Sequence, residues 1–233
     1  MVMTAMATDT TMRNSLLRLL HLVSPTLPTG AFSYSQGLEW AVENGWVCDS
    51  KSLETWLLDL AQHSMAYVDI PILARMYRAI NKHDGEKLEY WCTTLLACRE
   101  SSELQEEEQT RGRALATLLE NLDLLDEKIP STTLRQSQLA GYVMAAIQWN
   151  IDLHDAAPGY LWSWLENQVI TGIKIVPLGQ TQGQQILMQL STEIPRIVTH
   201  GLQLKDEEIG ASSPALALAC SMHETQYTRL YRS

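Results

Sequence analysis

Apolar residues recur along this chain at the i, i+3, i+4, i+7 spacing of a single helix face, and no β-branched run alternates with period two. Leu53, Trp56, Leu57 and Leu60 follow the rule, as do Leu88, Trp91, Cys92 and Leu95. Leu139, Tyr142, Val143, Ala146 and Ile147 form a third face. Leu161, Trp164, Leu165 and Gln168 form a fourth, and Ile186, Leu187, Leu190 and Ile194 a fifth. An all-α fold follows. Its boundaries are marked by helix-start and helix-stop residues. Asp84-Gly85 opens one helix, and Ser102 to Gln105 has the capping-box spacing of another. Pro71 suits a restart after Val68-Asp69, and Pro130-Ser131-Thr132 separates two helices. Pro158-Gly159 is read as a helix start and Pro177 as its end. Pro195 bends or terminates a helix begun near Thr181, and Ser213-Pro214 matches an N-cap followed by Pro at the first helical position. The expectation is a single compact bundle of about ten helices over residues 13–233, preceded by a flexible leader at 1–12.

The 233 residues are 45% hydrophobic, enough for a substantial core, and only 19% charged, which argues against disorder. A formal charge of −10 repels phosphate backbones and anionic lipid heads, so neither nucleic-acid nor membrane binding is expected. No run reaches the roughly 18 apolar residues of a membrane span. Arg18 and His21 interrupt the apolar stretch from Leu16 to Val23, which is not read as a signal peptide. Cys48, Cys92, Cys98 and Cys220 form no CxxC pair; reduced thiols in a cytoplasmic protein are expected, with Cys92 and Cys220 at core positions.

The most distinctive segment is Ser24 to Glu39, where Pro25, Pro28 and Gly30 break the helical run ending near Val23. Ser33 or Ser35 then caps a new helix through Leu38, Trp40 and Ala41, stopped at Asn44-Gly45. The result is a stiff elbow carrying Phe32, Tyr34, Gln36 and Glu39. The second distinctive segment is the end, Ser221 to Ser233, with Tyr227, Arg229, Leu230, Tyr231 and Arg232. Tyr and Arg combine contact area with directional donors and are enriched at interfaces. This tail is read as docking, onto its own chain or onto a partner.

Catalytic patterns are missing from the sequence. Six histidines are scattered with no HxH or HExxH, and no Gly-x-Ser-x-Gly elbow occurs. His223-Glu224 stays open between a surface contact and a transient metal contact. Gly179 and Gly183 are separated by three residues, with no Lys following, so Pro177 to Gln185 is not a P-loop. Glycines four apart share a helix face and let another backbone approach, while Gln180, Gln182, Gln184 and Gln185 offer amides to a polar interface. Glu103, Glu106, Glu107 and Glu108 suit the positive end of a solvated helix, and Glu107 with Arg111 is a favourable i, i+4 pair.

The elbow Ser24–Glu39, the segment Pro177 to Gln184, the ending Met222–Ser233 and the stretch Arg99–Arg113 together resemble the urease accessory protein UreF family, in order and over nearly the whole chain. Tyr231 stands where that family often has Phe. The resemblance implies an all-helical, non-catalytic subunit of the nickel-insertion apparatus of urease, homodimeric and without a stably bound cofactor. It implies partners: the accessory protein UreD (UreH), the GTPase UreG and the urease apoenzyme. The residues assigned to partner binding are Phe32, Tyr34, Gln36, Glu39, Gly179, Gln180, Gln184, His223, Glu224, Tyr227, Arg229 and Arg232. Two rivals remain: a helical scaffold for another GTPase, and an all-α enzyme whose metal is built from His and carboxylates on different helices.

Overall fold

A computed structural model describes residues 14–211 and 213–233, so the leader expected at 1–12 lies outside the described residues. Its α-helices are α1 (14–22), α2 (Leu38–Glu43), α3 (Ser50–Leu60), α4 (Asp69–Asn81), α5 (Gly85–Ala97) and α6 (Ser102–Asn121). They continue with α7 (Ser131–Leu134), α8 (Gln138–Gln148), α9 (Leu153–Ile175), α10 (Gln180–Ser191), α11 (Ile194–Gln203) and α12 (Pro214–His223). Among the described residues there is no strand. The all-α expectation holds.

At the centre lies α4, which packs against α5, α8, α9 and α11. Its Ile70, Ile72, Leu73 and Met76 are fully buried, as a helix apolar on every side requires. In α8, every residue from Gln138 to Ala146 is buried, so the five-residue face read from periodicity understates its enclosure. Two glycines allow α6 and α8 to approach closely. A Cβ on Gly112 would meet the Ser137 backbone at 2.8 Å, and one on Gly141 would meet Leu115 at 3.0 Å.

Most boundaries fall as expected, and the departures have local causes. Asp84 caps α5, Val176 before Pro177 ends α9, and Gly45 takes the left-handed conformation (φ 72°) after α2. Pro195 lies in the first turn of α11, so α10 has already terminated. However, α9 begins at Leu153 rather than at Pro158, because the Asp152 carboxylate accepts from the amides of His154 (2.7 Å) and Asp155 (3.1 Å). Pro158 is then interior, where its ring nitrogen offers no donor to the carbonyl of exposed His154 one turn earlier. The cap of α6 is Ser101, one residue earlier than the capping-box reading. Neither Ser33 nor Ser35 is the N-cap of α2; Gly37 is, with φ 78°. Ser213 precedes Pro214 at the start of α12 but makes no side-chain cap.

Candidate docking face: an elbow clasped by the tail

The elbow owes its shape to left-handed residues. Gly30 (φ 75°) leads into a 3-10 turn at Ala31–Ser33, and Gln36 (φ 53°) and Gly37 (φ 78°) follow in succession. Gly37 is doubly constrained, since a Cβ there would also meet Cys220 Sγ at 3.0 Å and Ala219 at 3.1 Å. This turn aims the amides of Ser35 (2.7 Å) and Gln36 (2.9 Å), and the Ser35 hydroxyl, at the main-chain oxygen of Ser233. Consecutive amides turned to one side form a concave cradle for an oxygen acceptor. The Arg232 amide donates back to the Ser33 carbonyl (2.9 Å).

Glu39, in the first turn of α2 and only 7% exposed, holds the rest of the tail. Its Oε1 accepts from the Leu230 amide (2.7 Å) and its Oε2 from the Tyr231 amide (3.0 Å). His223 lies between Glu39 and Glu103, and Arg229 pairs with Glu103. Gln226 donates to Glu43. The Glu224 carboxylate accepts from the Ser102 amide (3.1 Å) and hydroxyl (2.6 Å), serving the start of α6. Those bonds, the Ser102 hydroxyl first, hold it below the usual carboxylate range. Residues 191 positions apart thus form one surface.

Beneath the elbow lies a layer of buried charge that the sequence reading assigned to solvent. Glu107 (3% exposed) and Glu108 (6%) face inward. Glu107 pairs with Arg111 (2.7 Å), as the i, i+4 spacing predicts, and also accepts from Gln36 (2.9 Å) and the Ser233 hydroxyl (3.1 Å). Arg99 joins Asp69 (2.7 Å) to Glu108 (3.0 Å), while Ser137 and the Leu139 amide donate to Glu108. Burial pushes the Glu108 carboxyl up, but Arg99, Ser137, the Leu139 amide and Arg111 outweigh it and leave the pKa lowered. Desolvation opposes the charge on Arg99 too, yet its two carboxylates hold the guanidinium well above its ordinary range. Gln36 links the layers: its Oε1 accepts from Trp164 Nε1 (2.7 Å) on α9. Gln36, Asp69, Glu108, Arg111 and Trp164 all line a cavity of about 90 Å³.

The structure therefore sorts the residues expected to meet partners. Phe32 (64% exposed), Tyr227 and Leu230 (78%) project from the clasped face, with Arg229 and Arg232 also exposed. Tyr34 (5%) is buried, and Glu39 and His223 (0%) point inward and hold that face together. Gly179, Gln180 and Gln184 are exposed on α10, which packs against α9 and α3, apart from the clasp. Close packing in that segment falls to Gly183, whose Cβ would meet Ile173 at 2.2 Å; Gly179 has open space but for Gln182 at 3.6 Å. The inward Glu107 and Glu108 and their partners Asp69, Arg99 and Arg111 were missed. The signal for them was Asp69, one acid inside the apolar run Val68 to Leu73. Among the described residues no group of three or more His, Cys, Asp or Glu is placed to hold a metal ion, and no helix is long and apolar enough to cross a membrane.

Comparisons with known proteins agree with the motif resemblance. The family model described as UreF matches residues 47–191. The urease accessory protein UreF of Alcanivorax borkumensis is 47% identical over 229 residues, covering 95% of this chain and 100% of that protein. The protein of the same description from Alkalilimnicola ehrlichii is 47% identical over 232 residues, covering 98% and 100%. That of Pseudomonas entomophila is 48% identical over 219 residues, covering 94% and 98%. Identity of this order along almost the entire length leaves one conclusion: the chain belongs to the urease accessory protein UreF family.

Proposed function

We propose that this protein is a non-catalytic adaptor in nickel-dependent assembly of the urease metallocentre. It recruits the GTPase UreG and couples it to the UreD (UreH)–urease complex, with nickel as cargo and no resident cofactor. The carrying observation is the clasp, in which an exposed apolar and cationic face, Phe32, Tyr227, Leu230 and Arg232, is backed by the buried Glu107–Arg111 ion pair and the hydrogen bonds of Glu39 to the tail. Exposed aromatic and arginine side chains on a rigid backing are what an interface hot spot needs. Such an adaptor acts by binding one state of its partners better than another. Homodimerisation and a cytoplasmic location belong to the same reading, as does a single helical domain over 13–233.

The test is co-expression with UreD and UreG followed by size-exclusion chromatography. Arg232→Ala and Phe32→Ala are expected to lower UreG recovery and urease activation several-fold while helical circular dichroism is unchanged. Unaltered recovery and activation in both variants would dismiss the face. A scaffold for some other GTPase is distinguished by deletion: urease that is expressed yet stays inactive without this protein supports the nickel-insertion reading, and urease that matures normally overturns it.

A further inference from the structure

Between the C-terminal half of α4 and the first turns of α5 lies a groove of about 290 Å³, reached also by Asp206 from the turn after α11. It shares no residue with the clasp or with the cavity beneath the elbow. Four of the chain's 17 lysines and arginines line it: Arg75, Arg78, Lys82 and Lys87. Two of them are neutralised. Buried Arg75 pairs with Asp206 (2.9 Å), and Lys87 pairs with Asp84 (3.1 Å). Arg78 and Lys82 are exposed and have no ion pair or side-chain hydrogen bond among the described residues. Glu86 and Glu89 of α5 lie outside the lining. The groove therefore keeps two uncompensated positive charges on a chain whose formal charge is −10.

Arg78 and Lys82 stand four apart at the end of α4, where like charges crowd each other but the helix dipole favours cations. The dipole explains the cations. It does not explain Tyr90, which lines the same groove and is 61% exposed. Its ring meets Trp91 edge-on with centroids 4.9 Å apart, and Trp91 is anchored in the core. Tyrosine beside arginine, on a fixed backing, is the composition of an interface hot spot. Six of the nine lining residues are charged, whereas a small-molecule site is enclosed and mostly apolar. Exposed cations alone hold a small ion weakly against water and salt. A protein segment gains in addition by covering Tyr90.

We infer that the α4–α5 groove is a second docking surface, whose occupant is an acidic segment of a protein partner with an apolar side chain beside its carboxylates. The carboxylates meet Arg78 and Lys82, and the apolar side chain lies on Tyr90. Because the chain as a whole repels an acidic segment, the groove also fixes where one lands. The inference is independent of the clasped face.

The test uses the full chain and a short dye-labelled peptide in which glutamate alternates with leucine, followed by fluorescence anisotropy. The same peptide with glutamine in place of glutamate, and inorganic pyrophosphate as a competitor, are run beside it. The glutamate peptide is expected to bind about tenfold or more tightly than the glutamine peptide, and to weaken steeply with added salt. Arg78→Glu combined with Lys82→Glu should lower its affinity about tenfold or more, and Tyr90→Ala several-fold. All three side chains are exposed, and helical circular dichroism checks that the variants fold. Equal affinity for the two peptides overturns the inference, as does glutamate-peptide binding that both variants leave unchanged. Pyrophosphate that competes as tightly as the peptide binds, with Tyr90→Ala indifferent, overturns it too and makes the groove a simple anion site. The comparison of the two peptides is made on the unaltered protein, so it decides even if a variant does not fold.

Discussion

A few side chains are charged in places where charge is expensive, and each is held there by counted partners. Asp69 is 1% exposed and Glu108 6%, and Arg99 joins them. Removing one member of such a set leaves the others buried and unpaired, which costs about 3–5 kcal/mol. Arg99→Ala is therefore expected to lose stability on that scale in urea unfolding; a loss under about 1 kcal/mol would mean that the charges find water. Glu108 adds a pH dependence. Its pKa in the folded state is lowered from an ordinary value of 4.5, so its contribution is complete above that value and is lost as pH falls through the folded one. Glu108→Gln should start less stable at neutral pH yet show a shallower decline in acid. Equal acid slopes in the two proteins would remove Glu108 as a cause.

Among the elements, helix crossings decide which glycines matter. A methyl group on Gly112 would meet the Ser137 main chain at 2.8 Å, and backbone in the start of α8 cannot swing aside as a side chain does. Gly112→Ala is expected to destabilise by about 1–3 kcal/mol, the usual range for overpacking. Gly179 has an ordinary φ of −75° and no neighbour nearer than Gln182 at 3.6 Å. Gly179→Leu should therefore fold with nearly unchanged thermal stability, and any fall in partner recovery it caused would report on docking alone. The spacing of Gly179 and Gly183 reads as one face open to another backbone, and only Gly183 packs closely, against the side chains of Ile173 and Val169. The four-residue period holds only inside a helix, and Gly179 is the extended N-cap of α10 whereas Gly183 lies within it. Likewise the Glu-rich start of α6 read as solvated, since charge near a helix N-terminus is well explained by its dipole. Only the direction in which α6 faces the elbow turns Glu107 and Glu108 inward.

For the molecule as a whole, solvent access separates the four thiols. Cys48 is exposed and Cys98 half-buried, whereas Cys92 and Cys220 are fully buried. Burial pushes the Cys92 thiol up to about 12 and raises Cys220 as well, withholding the reactive thiolate. A thiol reagent should modify Cys48 within the native state, Cys98 more slowly, and the remaining two only on unfolding. Early modification of Cys220, where α12 meets Gly37, would mean that the elbow opens on its own.

Helical periodicity and the proline and glycine stops are local properties, carried by residues within a turn or two of one another. They determined the all-α class, most helix ends and the two segments worth attention. Which of their side chains face outward is a long-range matter. Tyr34, Glu39 and His223 lie in the same motifs as Phe32 and Leu230, yet the first three are buried when elbow and tail meet. The partners of Glu39 and His223 stand on α2, α6, α12 and the tail, and no spacing along the chain encodes a contact across 191 positions. That meeting was settled by packing: α12 passes close enough to Gly37 for buried His223 to reach Glu39 and Glu103, with Arg229 closing over Glu103 from the solvent side.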